Sequence, residues 1–284
     1  MSRARPHMPL TPDGAKPALS ARAGDGVRVV RHGKVWLVGA GPGDPELLTV
    51  RAFGLVTKAT VVAYDELVSP AILALAQPDA ELIPVGRRAN GCQHHEARIH
   101  PLVVVRALEG KQVVRLKGGD PMVFGRGGEE AQELAAARIP FEIVPGISAA
   151  LAAAARTGIP LTHRDCASGV TFATAHAAHD GEASLGNVPS DGTVVFYMGL
   201  ARIDATCIAL VAGGRARETP AAVISKATLP EERVVVGTLA NIAEQVRDAR
   251  LEAPALLVVG EVVARRVDSP LEASVDEMGR TAAG

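Results

Sequence analysis

The chain has 284 residues, 48% of them hydrophobic and 3% aromatic, with 30 Lys and Arg set against 31 Asp and Glu for a formal charge of −1. That length predicts two domains of ordinary size or one large one, and an interior drawn from Ala, Val and Leu suits a packed α/β protein. A charge so near zero provides no field to gather nucleic acid or an anionic membrane surface, so an anionic ligand must be met by locally placed Arg or Lys.

Residues 1–33 hold Pro6, Pro9, Pro12 and Pro17 among Arg, Gly and Ala, without the apolar core of a signal peptide. They predict a disordered leader on a cytoplasmic protein. Val35 to Val38 reads as a strand, broken by Gly39-Ala40-Gly41-Pro42-Gly43-Asp44-Pro45. A helix over 46–59, a strand over 60–64 ending at Asp65, a helix over 70–77 and a strand over 81–85 follow. Next come a helix over 99–109, a strand over 112–116, a helix from Glu130 to Ala137 and a strand over 141–144 closed by Pro145-Gly146. Strands alternating with helices predict a mostly parallel sheet covered on both faces.

The second half reads as strands over 170–174, 193–197, 221–225, 233–237 and 256–259, with a surface excursion around Asp180 to Gly192. The change of character places a domain break near Gly146–Ile147. The expectation is two α/β domains, 34–146 and 147–267, with the active site in the cleft between them and a flexible tail over 268–284. No apolar run approaches roughly 18 residues, so no transmembrane helix is expected.

The most informative stretch is Val113 to Glu130, VVRLKGGDPMVFGRGGEE. A buried strand breaks at Gly118-Gly119-Asp120-Pro121, and Gly125-Arg126-Gly127-Gly128-Glu129-Glu130 adds a charged second turn. Strand, glycine turn, charged turn and helix is the layout of a ligand site at a strand's carboxyl end. The earlier loop at Gly39 looks like a dinucleotide fingerprint, with Asp65 as the ribose acid. However, Asp44 at the third small position would repel a pyrophosphate, and Pro42 and Pro45 stiffen the turn. It reads equally as a tight turn with an Asp cap.

Asp65 could cap a loop or carry chemistry, and Arg126 with Glu129 could be an ordinary ion pair or a carboxylate clamp. Gly146-Ile147-Ser148-Ala149-Ala150 fails the hydrolase elbow pattern at Ala150. Met198 could be plain strand core. Cys92, Cys166 and Cys207 form no CxxC, and His94, His95, His100, His176 and His179 form no closed ligand set, so no metal is expected.

Taken together, seven blocks resemble the uroporphyrinogen-III C-methyltransferases. They are GAGPGDPELLT at 39–49, YDELVS at 64–69, LKGGDPMVFGRGGEE at 116–130, VPGISAA at 144–150, GIPLTHRD at 158–165, FYMG at 196–199 and PALLVVGEVV at 254–263. They occur in family order and span about Lys34 to Arg266. The resemblance implies methylation of uroporphyrinogen III at two pyrrole carbons, C2 and C7, by S-adenosylmethionine. The product would be precorrin-2, which feeds sirohaem- or cobalamin-type pathways, and the assembly a homodimer. With no further domain read in the chain, later oxidation and metal insertion are expected to fall to other proteins.

It also implies roles residue by residue. Asp65 becomes a proton acceptor, Arg126 a group for substrate binding or deprotonation, and Glu129 an orienting carboxylate. Arg164, Phe124 and Tyr197 become substrate contacts. Pro42, Gly118, Gly119, Asp120, Val123, Ser148, Ala149, Met198 and Ala227 become the cofactor cradle. Arg87 stands where the family has a lysine treated as proton donor, and a guanidinium stays protonated at any working pH. Ser148 replaces a usual threonine, Ala175 a usual glycine, and Glu96-Ala97-Arg98-Ile99-His100 a usual Gln-Glu-Glu-Ile-Asn run. Three other readings remain: a methyltransferase for a later precorrin, an NAD dehydrogenase, and a tetrapyrrole carrier without chemistry.

Overall fold

Val35–Gly39 (β1), Val61–Tyr64 (β2), Glu81–Pro84 (β3), Val113–Lys117 (β4) and Phe141–Val144 (β5) form a parallel sheet in the order β3-β2-β4-β1-β5. The structure is a computed structural model describing residues 33–86, 99–175 and 188–267. The expected leader up to residue 32, the expected tail, Arg87, Cys92, His94, His95, His176, His179 and the first part of the excursion from Asp180 lie outside the described residues.

β4 runs between β2 and β1, and all of its residues are buried. Pleating sends Val113, Arg115 and Lys117 to one face and Val114 and Leu116 to the other. The first face meets Val103 and Ala107 of Pro101–Leu108 (α3) and Ala131 and Leu134 of Gly127–Ala136 (α4). The second meets Ala52 and Val56 of Val50–Val56 (α1) and Ile72 of Pro70–Leu73 (α2). β1 therefore hands the chain to one face and its neighbour β4 hands it to the other. This opens a crevice at their carboxyl ends, the usual ligand position in such sheets.

Leu134 has no exposed surface and anchors α4 to this core. Leu134→Ala is expected to cost about 2–5 kcal/mol through lost burial and a residual cavity. Denaturant unfolding would read the loss.

Val170–Thr174 (β6), Thr193–Tyr197 (β7), Pro220–Ser225 (β8), Arg233–Thr238 (β9) and Ala255–Val259 (β10) form the second sheet, ordered β6-β7-β10-β8-β9. Only β6 and β7 pair in parallel; the other pairs are antiparallel. Ala149–Thr157 (α5) covers one face through Ala150 and Ala153. Ile203–Ala212 (α6) and Ile242–Asp248 (α7) cover the other with Cys207, Leu210, Ile242 and Val246. Burial, and secondarily Asp204, push the Cys207 thiol up to about 11, so it serves packing rather than reactivity.

Several predicted elements change at their ends. The helix expected over 46–59 is divided: Pro45–Leu47 make one 3₁₀ turn, and Thr49 then caps α1 by accepting from the Ala52 N–H at 3.1 Å. A threonine hydroxyl is better used there than inside a helix. The helix expected over 70–77 stops at Leu73. α4 starts at Gly127, ahead of Glu130, after a left-handed Arg126. α5, α6 and α7 were not among the predicted elements. The sequence of α5, AALAAAART, is too alanine-rich for an apolar stripe to stand out.

Candidate active site

Three glycines bring the ends of β1, β4 and β5 together. A Cβ on Gly39 would lie 2.5 Å from the Gly146 nitrogen, and one on Gly146 would lie 2.4 Å from the Gly119 oxygen. Only hydrogen fits. Gly41 and Gly119 exchange backbone hydrogen bonds at 3.1 and 2.7 Å, tying the loop after β1 to the loop after β4. Asp120 completes the junction: Oδ1 accepts from the Met122 N–H at 2.8 Å and Oδ2 from the Gly146 N–H at 3.0 Å. Its carboxylate is thus committed to loop geometry. Gly119 has φ +68°, and a Cβ there would sit 3.7 Å from the Ala149 nitrogen. That is ordinary van der Waals contact, so the turn packs against the start of α5 with room for little more than a methyl group between them.

Ser148 is buried at that start, and its hydroxyl shares a hydrogen bond with the Tyr197 phenol, which also accepts from the Ala150 N–H at 3.2 Å. The Tyr197 ring lies 4.8 Å from Phe124 and 6.0 Å from Phe172. One tyrosine therefore joins the end of β7 to α5 and to the loop after β4. Pro42, half-buried, sits in the first glycine loop, which meets the second sheet where the Asp44 N–H donates to Thr228 Oγ1 at 3.2 Å. Ala227, half-buried beside Thr228, packs against the α5 side of that sheet.

Phe124, Arg126, Met198, Lys226 and Thr228 all take positive φ, from 51° to 70°. Such backbone is costly without glycine and concentrates where side chains must be aimed. Met198 is 49% exposed, so the plain-core reading of this residue is corrected: it leaves the sheet instead of filling it. Val123 is half-buried in the same loop as Phe124.

The electrostatic centre lies on the α4 side of β4. Asp65, following β2, accepts from Arg115 Nη2 at 2.6 Å, and Lys117 Nζ lies 3.7 Å from its other oxygen. Glu130 Oε1 accepts from Arg115 at 2.8 Å and from Lys117 at 2.9 Å. Burial works against charge on Arg115, but Asp65 and Glu130 outweigh it and raise the guanidinium above its ordinary range. Sequence reasoning singled out Asp65 and missed Arg115, Lys117 and Glu130. The available signal was two cations at alternate positions of an otherwise apolar strand, VVRLK.

Arg126 and Glu129 form only a loose pair at 3.7 Å on the first turn of α4, both part-exposed, and neither pairs with Asp65. Arg164 is exposed at the turn closed by His163 and Ala167. Among the described residues, no group of three or more His, Cys, Asp or Glu could hold a metal ion, and no helix is long and apolar enough to cross a membrane.

A parallel sheet with glycine turns at its strand ends, tied to a second sheet through Tyr197 and Thr228, defines a mixed α/β methyltransferase-like architecture. Residues 34–243 match the tetrapyrrole (corrin/porphyrin) methylases, and the chain belongs to that family. It is 50% identical over 258 residues to a siroheme synthase of Pseudomonas aeruginosa, covering 90% of this chain and 55% of that protein. It is also 50% identical over 237 residues to a siroheme synthase of Acinetobacter baylyi, covering 82% and 52%. The chain spans about half the length of the curated relatives it matches.

Among solved structures, it resembles a uroporphyrin-III C-methyltransferase from Thermus thermophilus complexed with S-adenosyl homocysteine. The identity is 41% and the TM-score 0.70, over 82% of this chain and 99% of that one. A cobalt precorrin-4 methyltransferase matches at 28% identity and TM-score 0.72, over 81% and 95%.

Proposed function

We propose that this chain methylates uroporphyrinogen III at C2 and C7 with S-adenosylmethionine, giving precorrin-2 and two S-adenosylhomocysteine. The observation that carries the reading is the 41% identity with the Thermus thermophilus methyltransferase complexed with S-adenosyl homocysteine. The glycine turns suit such a ligand, because glycine lets backbone approach it closely, and the exposed thioether of Met198 offers apolar surface. Pro42, Gly118, Gly119, Asp120, Val123, Ser148, Ala149, Met198 and Ala227 would hold it. When bound, it supplies a methyl group on a positively charged sulfur.

Everything else falls to this chain. Its residues must present an electron-rich pyrrole carbon in line with the methyl and keep water out. As the carbon–carbon bond forms and the carbon–sulfur bond breaks, the ring becomes cationic and then loses a proton. Asp65 is the carboxylate we assign to stabilise that charge and accept the proton. Arg126 and Arg164, both accessible, are suited to clamp substrate carboxylates, with Glu129 orienting the macrocycle. Phe124 and Tyr197 offer flat ring faces to it. Arg87 would add a fixed positive charge rather than donate a proton.

We further propose a cytoplasmic homodimer, with domains over 34–146 and 147–267 facing each other across the cleft. The deciding assay is anaerobic, with uroporphyrinogen III and methyl-labelled S-adenosylmethionine. Two labelled methyls in the product mass are expected. No transfer despite cofactor binding would reject this substrate in favour of a later precorrin.

A further inference from the structure

We propose that Glu130 and Lys117 are positioning residues for Asp65, acting through a buried, charge-balanced cluster with Arg115 whose charge balance sets turnover. The inference rests on Asp65 being the proton acceptor.

Arg115, Lys117 and Glu130 have side chains only 5%, 2% and 8% exposed, whereas Asp65 is 28% exposed. Asp65 is thus the member with solvent access, at the end of β2, and the other three are buried behind it. The guanidinium is held on several sides: Nε and Nη2 donate to Glu130 Oε1 at 3.2 and 2.8 Å, Nη1 donates to the Leu116 carbonyl at 2.9 Å, and Nη2 also reaches Asp65. Glu130 therefore fixes the plane from which Arg115 meets Asp65.

Stability alone does not account for this arrangement. Three donated bonds converge on Glu130 Oε1, while buried Oε2 has no partner among the described residues. An orphaned carboxylate oxygen costs free energy, and a buried ion set on a central strand is commonly no better than apolar side chains of similar volume. The arrangement makes sense as electrostatics at Asp65. Among the described residues, the charged groups that face it are Arg115 and Lys117 from β4, with Glu130 behind them on α4; Glu66 is its chain neighbour. Glu130 cancels one of the two cations. Without it, Asp65 would face both uncompensated, and a carboxylate so clamped is a poor proton acceptor.

The test uses the full chain, with Glu130→Gln, Lys117→Met and the charge-balanced double variant, assayed on the tetrapyrrole that the unaltered chain methylates. Glu130→Gln is expected to lower kcat about 100-fold while the KM for S-adenosylmethionine stays within about twofold. The acid limb of its pH profile should move to lower pH, because the added net positive charge favours the ionised carboxylate. Lys117→Met should move that limb the other way. The double variant should regain at least about tenfold in kcat over Glu130→Gln, which lost packing alone would not produce.

Thermal unfolding checks the fold of each variant, and if Glu130→Gln does not fold, the limb shift in Lys117→Met carries the test. A folded Glu130→Gln at full turnover, or a Lys117→Met profile matching the unaltered chain, overturns the proposal. A different tetrapyrrole substrate would leave these ratios intact, so failure on uroporphyrinogen III is told apart from failure here. A chain that methylates no tetrapyrrole refutes the reaction and this role together.

Discussion

Asp65→Asn is expected to lower kcat by about 10²- to 10⁴-fold, the range that a positioned proton acceptor contributes. The carboxamide keeps the shape of the side chain but cannot accept the proton from a methylated ring. It also leaves Arg115 and Lys117 with Glu130 as their one carboxylate among the described residues. The KM for S-adenosylmethionine should change little, because Asp65 is bound to β4 rather than to the glycine junction. Steady-state kinetics with circular dichroism on the same preparation would decide it. A folded Asp65→Asn chain with full turnover would remove this residue from the chemistry.

The second large effect is expected at Gly119. Its φ of +68° disfavours any β-branched side chain, and a Cβ would already touch the Ala149 nitrogen at 3.7 Å, so the branches of a valine would project beyond the turn. Gly119→Val should weaken S-adenosylmethionine binding by about 100-fold or more, beyond a stability loss of about 1–3 kcal/mol from the strained backbone. Calorimetric titration separates the two effects. Gly54→Ala is the contrast: a Cβ there meets nothing within 4 Å, and the site is inside α1. It should stabilise the protein by about 0.5–1 kcal/mol and leave binding unchanged. Normal binding by folded Gly119→Val would mean that the ligand sits elsewhere.

The first sheet was readable from the chain because its signals are local. Val35 to Val38 and Val61 to Tyr64 are short apolar runs ended by glycine or Asp65, Val113 to Leu116 is interrupted only by Arg115, and the helices between them imply parallel pairing. The glycine turn at Gly118 could be read as a ligand turn for the same reason, whereas the loop at Gly39 reads equally as a capped turn. Their convergence is a matter of packing: Gly39 and Gly146 are distant in sequence, yet neither leaves room for a Cβ of the other. The second sheet hid its antiparallel order because β7, β8 and β10 are buried and nearly all apolar, which erases the alternation that marks a one-sided sheet.

The sequence by itself determined the fold class, the family motifs and Asp65 as a carboxylate needing a task, since each is written in contiguous residues. Tertiary structure alone decided what surrounds that carboxylate. Arg115 and Lys117 alternate along one strand and Glu130 follows two turns later, so nothing in their spacing says that all three meet. They do so because the β4 pleat turns both cations toward α4, and in a dry interior each buried charge must find an opposite one.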